Sequence, residues 1–66
     1  MKINKNLIII NSRHIPKDKI QFYYRDEFIT NNEVNFYVVV RDTIISEEMS
    51  NKEADKMLLK LDNLFL

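Results

Sequence analysis

Sixty-six residues make one domain, spanning 1–66, and a chain this short is marginally stable unless a crosslink, a metal, association or an efficient core supports it. With no Cys and a single His, disulfides and thiolate metal sites are excluded. Ten Lys and Arg balance ten Asp and Glu, which argues against a strong nonspecific polyanion binder, and the absence of Gly excludes the glycine-rich loops that cradle phosphate.

The charges are unevenly spread. Lys2, Lys5, Arg13, Lys17 and Lys19 face only Asp18 in the first part of the chain. Asp26, Glu27, Glu33, Asp42, Glu47 and Glu48 outnumber Arg25 and Arg41 in the middle. These segments are expected to pair with each other in the fold.

In chain order, the first element is the apolar run Leu7–Ile10, mostly β-branched and closed by Asn11-Ser12. It reads as a strand buried on both faces, and therefore central in its sheet. It is far too short to cross a bilayer or to serve as a signal core. Residues 11–19 hold the only Pro; Pro16 forces Ile15 into an extended backbone, and the segment reads as a loop.

Two stretches then alternate with period two, Ile20–Thr30 and Val34–Ile45, which predicts two strands joined by a turn at Asn31-Asn32-Glu33. Asn accepts positive φ where Gly is missing. A three-residue turn pairs Phe28 with Phe36, Tyr24 with Val40 and Ile20 with Ile44, all on one apolar face. That register leaves Asp26 and Asp42 on the same apolar face, a difficulty that a bulge or a rim position would relieve.

The last element is an amphipathic helix over Ser50–Phe65. Ser50 and Glu53 have capping-box spacing. Ala54, Met57, Leu58, Leu61, Leu64 and Phe65 follow i, i+3, i+4, i+7 and form its core face. Lys52, Lys56 and Lys60 make a like-charge ridge outside, and Leu59 and Leu66 point away from the core stripe. Together these elements predict an α+β fold: a small, mostly antiparallel three-stranded sheet with the helix across one face.

Catalysis, cofactors and metals are not expected. Ser12 and His14 are near neighbours in a loop, where the two side chains rarely converge, and a chain of this length hardly encloses a reaction pocket. The carboxylates lack the spacing of a hard-cation loop, and Glu47 and Glu48 have a simpler use beside the positive end of the helix.

One helix covers one face of the sheet. On the expected register the other face carries Tyr23, Arg25, Glu27 and Ile29 beside Tyr37, Val39, Arg41 and Ile45. The candidate partner-binding residues are therefore Tyr23, Arg25, Tyr37, Val39 and Arg41. Tyr, Arg and aliphatic residues are what a protein interface uses, so the partner is expected to be a protein or a second copy of the chain. The alternative is single-stranded nucleic acid, stacked on the Tyr rings and neutralised by the Arg side chains. The composition favours AT-rich codons, which with the small size suggests a phage or mobile-element inhibitor of a host protein. The lack of Cys fits a cytoplasmic protein.

Overall fold

The computed structural model describes residues 1–27 and 31–66, so the expected pairing of Phe28 and the expected place of Ile29 lie outside the described residues. Among the described residues six strands precede one helix: β1 (Lys2–Ile3), β2 (Leu7–Ile10), β3 (Arg13–Pro16), a 3-10 turn (Lys17–Lys19), β4 (Phe22–Arg25), β5 (Glu33–Val40), β6 (Thr43–Ser50) and α1 (Asn51–Phe65). The fold is α+β as expected. The strands, however, form two antiparallel three-stranded sheets, β1-β2-β3 and β4-β5-β6, rather than one.

Two turns account for the difference. Asn11 and Ser12 both take positive φ, 48° and 64°, and fold β3 back on β2 so that Ile15 lies opposite Ile8. The segment expected to be a loop is thus half strand. Pro16 sits at the end of an edge strand, where its missing N–H costs no ladder bond. Further on, Arg41 takes φ 54° and Val40 pairs with Thr43. The expected strand Val34–Ile45 is therefore a hairpin, and Glu47 and Glu48 belong to β6 instead of preceding the helix. The turn at Asn31-Asn32 has positive φ at both residues, as their side chains allow, and Glu33 already belongs to β5.

β2 is central in its sheet, with Ile8 and Ile10 fully buried and Leu7 and Ile9 half-buried. α1 begins where the capping spacing placed it: the Ser50 Oγ accepts the Glu53 N–H at 3.1 Å. The Asn51 N–H donates to the Asn32 carbonyl at 3.0 Å, tying the helix start to the turn before β5. Ala54, Met57 and Leu61 are buried, and Leu58 and Leu64 pack partly against the core. Among the described residues no helix is long and apolar enough to cross a membrane.

One core draws on all three parts. Ile8, Ile10 and Ile15 come from the first sheet, Val34, Phe36, Val38 and Ile45 from the second, and Ala54, Met57 and Leu61 from α1. The second sheet therefore has a covered inner face, and its outer face is left to solvent.

Candidate protein-binding face

The β4–β5 register decides which side chains reach the outer face. Phe22 pairs with Val39, Tyr23 with Val38, Tyr24 with Tyr37 and Arg25 with Phe36. The expected pairs of Tyr24 with Val40 and of Ile20 with Ile44 do not form. The offset is odd, and in a period-two strand an odd offset exchanges the faces. Tyr23 and Arg25 therefore share the covered side with Val38 and Phe36, and Phe22 and Tyr24 turn outward. Ile45 is also on the covered side, 8% exposed, and its neighbour Ile44 is 58% exposed.

Tyr23 and Arg25 tolerate the covered side because α1 supplies polar partners there. The Tyr23 hydroxyl donates to Asp62 Oδ1 at 2.6 Å, and its ring stacks on Phe65 with centroids 5.6 Å apart. Burial, reinforced by the Asp62 carboxylate, pushes the Tyr23 hydroxyl up to about 12. The Arg25 guanidinium donates to the Asn51 side chain and to Asp55, and its Nε donates to the Asp26 carbonyl at 3.0 Å. These two residues brace β4 against the helix.

The outer face is built in rows across the strands: Phe22, Val39 and Ile44, then Tyr24, Tyr37 and Ser46, then Asn35 and Glu48, with Glu33 at the end of β5. Its rings form a ladder. Phe22 and Tyr24 lie 5.6 Å apart, and Tyr24 stacks on Tyr37 at 4.6 Å with an interplanar angle of 18°. Asp26 closes the ladder: it accepts the Tyr37 hydroxyl at 2.9 Å and the Asn35 N–H at 3.0 Å. The Asn35 amide, with Tyr37, holds the Asp26 carboxyl below its ordinary range, and Asp26 in turn raises the Tyr37 hydroxyl. The difficulty of a buried Asp26 disappears on this register, and Asp42 lies exposed in the β5–β6 turn.

Of the five expected contact residues, Tyr37 and Val39 stand on the open face, Tyr23 and Arg25 on the covered one, and Arg41 in the turn at its end. Sequence reasoning placed Phe22, Tyr24 and Ile44 inside. For Ile44 the signal is the polar pair Arg41-Asp42 between two β-branched runs, which marks a two-residue hairpin turn; for Phe22 and Tyr24 the strand itself carries no such signal.

The face is acidic at one end. Glu33 and Glu48 are exposed, and the proximity of Glu33 lifts the Glu48 carboxyl above its usual value. A groove of about 550 Å3 lies between β4 and α1, lined by Tyr23, Tyr24, Arg25, Asn51 and Asp55. It is braced by the contacts of Arg25 already described. Among the described residues no cluster of His, Cys, Asp and Glu is arranged to hold a metal ion. His14 is exposed on β3. The geometry thus defines a small α+β domain with a braced, partly aromatic sheet face open to solvent. Compared with family models, with curated proteins and with solved structures, the chain matches none.

Proposed function

We propose that this protein is a non-enzymatic protein-binding module and that its contact surface is the outer face of the second sheet. The observation that carries this reading is the exposure of Phe22 (59%) and Ile44 (58%) beside the stacked pair Tyr24–Tyr37. Large apolar side chains grouped on one face mark interaction sites more often than scattered ones do. Their rigidity matters as well. The rings are stacked and Tyr37 is held by Asp26, so a partner orders little when it binds.

Single-stranded nucleic acid would also stack on this ladder. The charges favour protein: Arg25 is engaged with the helix, and Glu33 and Glu48 add negative charge at one end of the face, which repels phosphate. A host-directed inhibitor from a phage or mobile element, acting in the cytoplasm, is the concrete form of the reading, and composition and size are what support it.

The test is capture by immobilised protein. Ile44→Asp and Tyr37→Ala should lose the partner that the wild type retains, with unchanged circular dichroism, and His14→Ala on β3 should keep it. Retained capture by both face variants would remove the assignment. Oligonucleotide binding that falls steeply with salt would favour the nucleic-acid reading instead.

A further inference from the structure

The helix exterior is a second unpartnered surface, and its chemistry is the complement of the sheet face. Lys52, Leu59 and Leu66 recur every seven residues, so they lie nearly in line along α1, with Lys56 beside them. Leu59 is 63% exposed, Leu66 fully so, and both lysines are exposed. Asp55, the acid nearest this stripe, is already paired with Arg25. Among the described residues, Lys52, Lys56, Glu33 and Glu48 make no ion pair. One surface therefore carries the exposed Leu59 and Leu66 toward one end and the free lysines Lys52 and Lys56 at the other, with Lys60 and Asn63 alongside the leucines. The other is apolar with free glutamates at one end.

We infer that the open sheet face receives the helix exterior of a second copy of this chain, in a head-to-tail contact; this rests on the reading of that face as a contact surface. Lengths agree. From Lys52 to Leu66 the helix advances about 21 Å, and from Glu33 to Val39 the strand advances about 20 Å. With the helix running along β5, Lys52 lies over Glu33. Lys56, about 6 Å further on, lies over the Glu48 row at about 7 Å. Leu59 then falls by Tyr37, and Leu66 reaches the row of Phe22, Val39 and Ile44. A helix on each face of a sheet is a standard layered arrangement, and α1 already packs on the inner face in this way.

The two surfaces lie on opposite sides of the molecule, so the contact is heterologous and repeats from copy to copy. A single helix crossing a three-stranded sheet buries less than the roughly 1,200 Å2 of a stable interface. The association is therefore weak at each contact and concentration-dependent.

The experiment is light scattering of the full chain from micromolar to millimolar concentration, with circular dichroism to confirm folding. The wild-type mass should rise with concentration, while Ile44→Asp and Leu59→Asp should each stay at the 8.0 kDa of one chain. An equimolar mixture of the two variants should form dimers and nothing larger, because each supplies the surface the other lacks. Replacing Glu33 and Glu48 by Lys should weaken self-association by roughly tenfold. Mixing that protein with one in which Lys52 and Lys56 are Glu should restore it.

A wild type that stays monomeric throughout would overturn the inference and leave the sheet face to a foreign partner. Self-association that Ile44→Asp does not weaken would overturn both this inference and the assignment of the face. A wild type that associates while the variant mixture stays monomeric would overturn the head-to-tail geometry.

Discussion

Tyr37 donates its hydroxyl proton to Asp26 at 2.9 Å, and the same carboxylate accepts the Asn35 amide at 3.0 Å. The end of β4 is thereby pinned to the middle of β5, and a ring in the central row of the open face is oriented by a charge. Both hydrogen bonds are stronger to the ionised carboxylate than to the neutral acid.

Acid should release this clamp. The Asp26 carboxyl is held below its ordinary value, by the Asn35 amide first and by Tyr37 next, so its contribution is present above the unfolded pKa and is lost as pH falls through the lowered folded one. Melting temperature should drop on acidification below about pH 4, and Asp26→Asn should flatten that part of the profile. Parallel slopes for the two proteins would show that Asp26 does not contribute.

Alkali should act through Tyr23. Its hydroxyl is raised to about 12 by burial and by Asp62, so the stabilisation it brings is complete below about pH 10, the value of a free Tyr, and is lost as pH rises through the folded value. Tyr23→Phe should cost about 1 kcal/mol in urea unfolding at neutral pH. It should also remove part of the alkaline decline.

Arg41 occupies a left-handed backbone, φ 54°, with a side chain poorly suited to it. Asn fills the same conformation at Asn11, Asn31 and Asn32 in this chain. Arg41→Asn should therefore stabilise the β5–β6 hairpin by about 0.5–1 kcal/mol, seen as a raised urea midpoint with an unchanged slope. A lower midpoint would mean that the Arg41 side chain contributes to stability.

Two leucines on α1 separate packing from exposure. Leu61 is fully buried, and Leu61→Ala should cost about 2–5 kcal/mol. Leu59 is 63% exposed, and Leu59→Ala at low protein concentration should change stability by less than about 0.5 kcal/mol. Equal losses would mean the helix is rotated from the orientation described.

Features that depend on near neighbours were legible in the residues alone. The cap at Ser50, the stripe Ala54–Met57–Leu61 and the outward Leu59 follow from helical spacing, and Asn31-Asn32 marked its turn through the conformations Asn accepts. The central place of Leu7–Ile10 followed from an unbroken apolar, mostly β-branched run. Alternation also grouped Tyr23 with Arg25 and Phe22 with Tyr24 correctly, because side chains two apart must share a face.

Which of those groups faces inward was decided only by tertiary structure. Hydrophobicity favoured burying Phe22 and Tyr24, and β4 by itself offers no reason to do otherwise. Asp62, Asp55 and Asn51 come from α1, far along the chain, and they satisfy Tyr23 and Arg25 on the covered side. The turn at Arg41 gives β5 its second neighbour, β6, which supplies Ile45 to the core and turns Ile44 out. Local spacing sets the period of a strand, and the partners that meet it across the core choose its phase. The open face of this protein is a consequence of that choice.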